Sequence, residues 1–154
     1  MKGKPEVIEV LAKMLKEELG AISEYFIHAE MCESWGYKKL SDHTKKESIN
    51  EMKHAEKLIE RILFLEGTPN LNDMPKLNVG KDVKAQFQND LALEKNAVVE
   101  YNAAITACRK ADDNASADLL QVILTDEEEH VDFLEEQLSL IDNIGIQNYL
   151  AQQV

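Results

Sequence analysis

The stretches EMKH at residues 51–54 and EEEH at residues 127–130 share a Glu-x-x-His motif, and this repeat decides the fold. A lone glutamate lies 33 residues before each motif, at Glu18 and at Glu94. Two lone glutamates and two Glu-x-x-His motifs, carried on four helices, are the ligand set of a carboxylate-bridged two-metal centre inside a helix bundle. We therefore expect a two-metal protein whose candidate ligands are Glu18, Glu51, His54, Glu94, Glu127 and His130.

The size and composition of the chain predict a single all-α domain. With 154 residues the chain is long enough to bury a core, and we assign residues 1–154 to one domain. Hydrophobic residues make up 44% of the sequence, which argues against disorder. Only 3 prolines and 6 glycines interrupt a chain dominated by good helix formers, and alternating β-branched runs are scarce.

The formal net charge of -12 argues against nucleic-acid binding, because a phosphate backbone requires a basic face. An acidic chain attracts cations, although acidity also serves solubility alone. No apolar stretch approaches the roughly 20 residues that span a bilayer, and residues 1–6 lead into an amphipathic pattern without an apolar block. Two cysteines without a framework of pairs fit a reducing compartment. We therefore expect a cytoplasmic protein that does not associate with membranes.

Apolar residues with three- and four-residue spacing predict four long helices. The first begins at Pro5 and ends before Gly36, and the second ends at residues 67–69. The third follows a capping aspartate, Asp82, and the fourth follows a polar break at residues 112–116. All six candidate ligands lie within the apolar seams of these helices. Because ionised groups are costly to bury, six at matched spacing indicate a metal site rather than polar residues that set helix register.

The connections between the helices predict the topology. Short links make the first and second helices, and the third and fourth, antiparallel hairpins. Residues 67–81 contain Pro69, Pro75 and Gly80 and are not expected to be helical. About 15 extended residues reach about 50 Å and a helix of about 28 residues is about 42 Å long, so this segment can run the full length of the bundle. That gives a ferritin-like four-helix bundle with one long crossover, followed by a short fifth helix at residues 146–152.

The spacing of the ligands also predicts how they are shared. Residues three apart lie on one face of a helix, so both side chains of a Glu-x-x-His motif can reach one metal region. Mixed carboxylate and imidazole ligation suits iron or manganese, and four carboxylates balance two divalent ions. Two redox-active ions provide two electrons for O2 or peroxide, so we expect two iron ions per subunit. The pseudo-symmetry places one metal near Glu18 and His54 and a second near Glu94 and His130, bridged by Glu51 and Glu127.

Residues around the predicted centre carry weaker signals. The Tyr25 and Tyr101 hydroxyls either donate hydrogen bonds to ligand carboxylates or pair elsewhere in the core. Glu47 either lines an ion route or is a solvated glutamate at a helix end. His28 and His43 fall outside the repeat and are interpreted as ordinary histidines.

Five local strings are specific: EMKHAE at 51–56, ERILFLEG at 60–67, DLALE at 90–94, DEEEH at 126–130 and QNYL at 147–150. In these strings the sequence resembles bacterioferritin, the haem-containing branch of the ferritin superfamily, and the resemblance covers essentially the whole chain. The resemblance implies that the six candidate ligands form a ferroxidase centre that oxidises Fe2+ to Fe3+ with O2 or peroxide. It also implies a hollow 24-mer cage, built from two-fold dimers, for iron storage and detoxification. The implied electron donor for iron release is a small ferredoxin.

Met52 matches the haem ligand of this family. One residue past Glu51 rotates about 100° around the helix, so Met52 is expected to face away from the metal centre. The resemblance then implies haem b shared between two subunits, with one Met52 on each side of its iron. Ile22, Phe26 and Ile49 would supply apolar walls.

The chain departs from the family at three positions of the second helix. Lys45 stands where an aromatic residue is common, and Lys46 and Asn50 stand where histidine and aspartate are common. Neither Lys46 nor Asn50 is a good ferrous ligand, which leaves an inner-wall iron site without its usual ligands.

Other functions use parts of the same pattern. A di-iron or di-manganese enzyme that consumes peroxide and stores nothing would need the same six ligands. A rubrerythrin-like protein is disfavoured because the chain has no Cys-x-x-Cys module. A cage or haem-binding scaffold with a vestigial centre is disfavoured by the complete ligand set.

Overall fold

The computed structural model describes residues 1–154 and consists of five helices. They are α1 (Pro5–Ser34), α2 (Lys38–Phe64), α3 (Val83–Lys110), α4 (Asn114–Ile144) and α5 (Ile146–Ala151). The predicted all-α bundle with a short C-terminal helix is confirmed. No helix combines the length and the apolar character needed to cross a membrane.

The first and third helices begin where the sequence signals place them. Pro5 occupies the first turn of α1, where its missing N–H costs no hydrogen bond. Asp82 caps α3, because its side chain accepts a hydrogen bond of 2.8 Å from the backbone N–H of Ala85. The predicted capping role of Asp82 is therefore confirmed.

The segment between α2 and α3, residues 65–82, runs beside α1 and in the same direction. Asp73 pairs with Lys16 at 3.3 Å. Further along, Pro75 packs against Gly20, where an added Cβ would lie 2.5 Å from the proline ring. This close approach requires glycine at position 20.

Two buried side chains of α1 fasten the end of this crossover. Glu24 accepts a hydrogen bond of 2.6 Å from the backbone N–H of Asn78, and His28 Nε2 accepts one of 2.9 Å from Gly80. Because Nε2 is the acceptor, the proton of the neutral ring is on Nδ1, which lies 2.9 Å from Asp90 Oδ1 of α3. His28 thus joins α1, the crossover and α3, a structural role that agrees with its interpretation as an ordinary histidine.

Contacts between α1 and α3 establish the direction of each helix. Near the end of α1, Cys32 Sγ lies 3.3 Å from Gln86 Oε1 in the first turns of α3. Near the start of α1, Lys4 donates to the carbonyl of Ala111, just past the end of α3. Helices α1 and α3 are therefore antiparallel. Since α1 and α2 form a hairpin, α2 and α3 are parallel, which confirms the single-crossover topology.

A polar layer divides the core into two apolar clusters. One cluster lies at the end where α1 begins and contains Cys108, and the other lies at the opposite end and contains Cys32. The helical spacing of the two cysteines likewise predicts opposite ends and no mutual disulfide, and both thiols are free. The middle of each long helix carries buried carboxylates or imidazoles instead of apolar side chains.

A polar clamp joins the end of α2 to the start of α4. Arg61 donates through Nη2 to Asp113 at 2.9 Å and through Nε to Ser116 Oγ at 2.8 Å. Asp113 also caps α4 by accepting a hydrogen bond of 3.0 Å from the Ser116 N–H. Helix α4 therefore begins at Asn114, within the polar segment at residues 112–116 and not after it.

Asp113→Ala removes both the helix cap and the partner of Arg61, so we expect the free energy of unfolding to fall by about 1–3 kcal/mol. The matched control Asp118→Ala removes an exposed carboxylate of α4 and should change it by less than about 0.5 kcal/mol. Thermal unfolding followed by circular dichroism compares the two, with about 2–4 °C expected per kcal/mol. Equal midpoints would show that the clamp adds no stability.

Candidate metal centre

The six predicted ligands lie together in the polar layer of the bundle. They are Glu18 on α1, Glu51 and His54 on α2, Glu94 on α3, and Glu127 and His130 on α4. Five of them are at most 3% exposed, and the side chain of His130 is 12% exposed. The centre is therefore shielded from solvent everywhere except beside His130.

The potential ligand atoms form two overlapping groups. Glu18, Glu51, His54 and Glu127 form one, Glu51, Glu94, Glu127 and His130 form the other, and within each the atoms lie within 4.8 Å of one another. Only Glu51 and Glu127 belong to both groups, so these two carboxylates are placed to bridge two cations. The same partition is predicted by the pseudo-symmetry of the sequence repeat.

Both imidazoles point Nδ1 toward the carboxylates of the centre. His54 Nδ1 lies 2.9 Å from Glu127 Oε1 and 3.3 Å from Glu51 Oε2. His130 Nδ1 lies 3.0 Å from Glu51 Oε1 and 3.3 Å from Glu94 Oε1. Nδ1 is therefore the imidazole atom that can share a cation with these carboxylates.

The outward nitrogen of each imidazole meets a further carboxylate. His54 Nε2 lies 3.0 Å from Asp126 Oδ2, and His130 Nε2 lies 2.9 Å from Glu47 Oε2. Only the contact of His54 with Asp126 has hydrogen-bond geometry, and such a bond determines the orientation of a ligating imidazole and which nitrogen keeps the proton. The sequence left the role of Glu47 open and missed Asp126, whose only signal was its position beside the motif.

Two tyrosines support the lone glutamates from the opposite helix. Tyr101 donates to Glu18 Oε1, and Tyr25 donates to Glu94 Oε1. The interpretation of these tyrosines as hydrogen-bond donors to the candidate ligands is thus confirmed. Burial, with the nearby carboxylates, raises the pKa of both hydroxyls well above the ordinary value, so both remain donors.

Each carboxylate of the centre has one buried oxygen that no donor reaches with hydrogen-bond geometry, although an imidazole nitrogen lies within 3.0 Å of two of these oxygens. These atoms are Glu18 Oε2, Glu51 Oε1, Glu94 Oε2 and Glu127 Oε1, together with Nδ1 of His130. A buried acceptor without a partner costs about 1–3 kcal/mol, and a cation can satisfy several at once. The arrangement of donor atoms therefore suits metal ions.

The four carboxyl groups differ in acidity. Burial and the neighbouring Glu51 raise the pKa of Glu18 well above its ordinary value, and burial and Glu127 do the same for the pKa of Glu94. Burial also opposes ionisation of Glu51 and Glu127, but contacts with the other carboxyl groups and the imidazoles hold the pKa of both below the ordinary value. In the metal-free protein the lone glutamates therefore keep their protons and the shared glutamates are ionised.

The imidazoles balance the charge of the shared glutamates. Burial lowers the pKa of His54 and His130, but the surrounding carboxylates outweigh it and raise both pKa values above the ordinary value. Both rings are consequently protonated when no metal is bound. A cation that enters must displace protons from the residues that bind it.

Met52 lies on the side of α2 that faces away from the centre. Met52 and Phe26 are each 54% exposed, and Ile49 is 46% exposed. Ile49 and Met52 lie three residues apart on one face of α2, so an exposed thioether stands beside an exposed apolar side chain. These residues therefore fit the predicted haem position.

Comparisons with known proteins identify the family. Residues 8–144 match the family described as a ferritin-like domain. The chain is 43% identical over 154 residues to a bacterioferritin from Mycolicibacterium paratuberculosis, covering 100% of this chain and 97% of that protein. It is 46% identical over 155 residues to a bacterial ferritin from Synechocystis sp., covering 100% and 99% respectively. It is also 44% identical over 149 residues to a bacterioferritin from Brucella melitensis, covering 97% and 92%.

The family match includes all six candidate ligands, and the relatives align over nearly their whole lengths. Agreement at this level extends through all four long helices of the bundle. The chain therefore belongs to the ferritin family, in the bacterioferritin branch.

Proposed function

We propose that this chain is the ferroxidase subunit of an iron-storage protein. It would bind Fe2+ as a substrate in the centre, pass electrons to O2 or peroxide, and store the Fe3+ product as mineral. Its relatives named bacterioferritin support iron storage as the general role. The ligand geometry supports the finer assignment to a di-iron centre.

The observation that carries the proposal is that Glu51 and Glu127 belong to both ligand groups. Two cations held by shared carboxylates lie close together, so two Fe2+ can each give one electron to the same O2 or peroxide molecule. Oxygen and imidazole ligands suit iron in both oxidation states. A site for a single cation would not need two carboxylates that belong to both ligand groups, so Glu51 and Glu127 favour a pair of metal positions.

The surrounding hydrogen bonds leave one oxygen of each lone glutamate for the substrate. Tyr101 occupies Oε1 of Glu18 and Tyr25 occupies Oε1 of Glu94, while Oε2 of each glutamate has no partner. Each tyrosine can therefore hold its carboxylate in place as the charge of the bound ions changes.

Haem b, shared between two subunits, is the second proposed cofactor. Met52 would hold its iron from each side, and the haem would supply one-electron transfer between the outside and the stored iron. The exposed, apolar surroundings of Met52 support this position. A small ferredoxin is the proposed electron donor for iron release.

The assembly proposed for this chain is the 24-mer cage of two-fold dimers in the cytoplasm. Membership of the family supports a cage. The exposed apolar side chains around Met52 are consistent with a two-fold contact, since isolated subunits rarely present such a patch to water.

Aerobic titration of metal-free protein with Fe2+ tests the ferroxidase assignment. We expect a fast phase of about two Fe2+ per subunit, followed by continued uptake into soluble mineral. A fast phase that stops at two would indicate an enzyme without storage, and the absence of a fast phase would contradict the ferroxidase assignment.

Glu127→Gln should slow the fast phase at least about 100-fold, because it removes a shared carboxylate. Its neighbour Glu128 is exposed, so Glu128→Gln is a matched control that should leave the initial rate unchanged. Stopped-flow absorbance measures both rates. Equal rates in the two variants would remove Glu127 from the centre.

Metal binding should release protons. The raised pKa values of Glu18, Glu94, His54 and His130 mean that all four hold a proton in neutral, metal-free protein, so two Fe2+ should displace about four. Lowering the pH strengthens the competition from protons, and the affinity for Fe2+ should fall. Anaerobic titration in a pH-stat counts the protons, and release of fewer than about two would contradict this protonation pattern.

Met52→Leu should eliminate haem while leaving Fe2+ oxidation intact, because leucine has no sulfur to bind the haem iron. Met74 is also exposed, at 50%, so Met74→Leu is a matched control that should retain haem. The ratio of haem to protein absorbance after reconstitution gives the result. A normal haem spectrum in the Met52 variant would refute the assigned ligand.

A further inference from the structure

A cavity of about 240 Å³ opens beside the metal centre between α2 and α4. Its lining includes His43, Glu47, Asp90, Glu129 and His130, and no lysine or arginine. The wall is therefore rich in oxygen and imidazole groups and has no basic side chain. A cation that enters meets negative charge on several sides.

His43 directs its ring into this space. The ring lies on Phe133, with centroids 4.2 Å apart and planes inclined by 30°. Its Nε2 is shielded from solvent and has no hydrogen-bond partner. The nearest carboxylate oxygen, Glu47 Oε1, is 3.8 Å away, which is too long for a hydrogen bond.

We propose that a divalent transition-metal cation binds between His43 Nε2 and Glu47 Oε1, as a third position beside the two of the centre. Residues four apart share one face of a helix, so both side chains can reach one ion. Nitrogen and oxygen ligands each lie about 2.1 Å from such an ion, which places them about 3–4 Å apart, and the observed 3.8 Å lies in this range. Burial lowers the pKa of His43, which favours the neutral imidazole that binds metal.

Glu47 connects this position to one half of the centre. Its other oxygen, Oε2, lies 2.9 Å from His130 Nε2, and His130 Nδ1 lies among the ligand carboxylates. A cation at His43 would therefore be linked through the Glu47 carboxylate to His130, a candidate ligand of the centre. It occupies a waiting position for ions that enter or leave past His130, the most exposed of the six candidate ligands.

A second cavity, of about 390 Å³, lies beside His54 and Asp126 and also reaches His130. Its lining mixes two lysines, Lys53 and Lys57, with four carboxylates, so it attracts a cation less uniformly than the first cavity. The role of a waiting position rests on the proposed ferroxidase function, whereas binding of the third ion does not.

Anaerobic titration of metal-free protein with Co2+ tests the third position. Visible absorbance and calorimetry should show two tightly bound Co2+ per subunit and a third that binds more weakly. His43→Phe keeps an aromatic ring on Phe133 and should weaken only the third ion, by at least about tenfold. Glu128→Gln, which removes an exposed carboxylate outside the cavity, should retain all three. Anomalous scattering from Co2+-soaked crystals should show a peak between His43 and Glu47.

The outcomes separate this proposal from the ferroxidase assignment. Two Co2+ in the unmodified protein, or three of unchanged affinity in His43→Phe, would overturn the third position and leave the centre untouched. Absence of the two tight ions would overturn the di-metal centre. A single ion that depends on His43 would still support the position between His43 and Glu47.

Discussion

Four carboxyl groups and two imidazoles packed between two apolar clusters impose the constraint on which the rest of the bundle depends. Ionised groups in such a layer are costly unless their charges are balanced. The metal-free protein achieves balance with protons on Glu18, Glu94 and both imidazoles. Two divalent ions achieve the same balance against four ionised carboxylates. Both states are therefore neutral overall, so neither leaves an unbalanced charge in the core.

The long crossover is what brings the two halves of the ligand set together. By returning along α1 it makes α1 and α3 antiparallel, so that Tyr25 can reach Glu94 while Tyr101 reaches Glu18. A short hairpin between α2 and α3 would reverse α3 and separate these pairs. The contacts of His28 with Gly80 and Asp90 hold this geometry from within the core. A histidine without any metal role thus contributes to the position of the centre.

Apolar spacing was sufficient to predict the helices, the length and prolines of residues 67–81 to predict the crossover, and the repeat to predict the grouping of the six candidate ligands. Helical periodicity identifies which face of a helix is buried, and matched spacing identifies which faces meet. A repeat cannot reveal a contact between helices that occurs in only one of its two copies. The contact of Asp126 with His54 and the pairing of His28 with Asp90 could not be predicted for this reason. Those contacts depend on side chains that meet only after the helices pack.

Where the two copies of the repeat differ, the two halves of the centre have different surroundings. Glu47 lies four residues before Glu51, whereas the equivalent position before Glu127 is Ile123, which is fully buried in the core. Only the His130 half therefore gains a carboxylate that extends into a cavity without basic side chains. The other half meets Asp126, and the cavity beside it, which also reaches His130, mixes two lysines with four carboxylates. Two ions with nearly identical ligands consequently have unequal contact with solvent, because His54 is buried more deeply than His130.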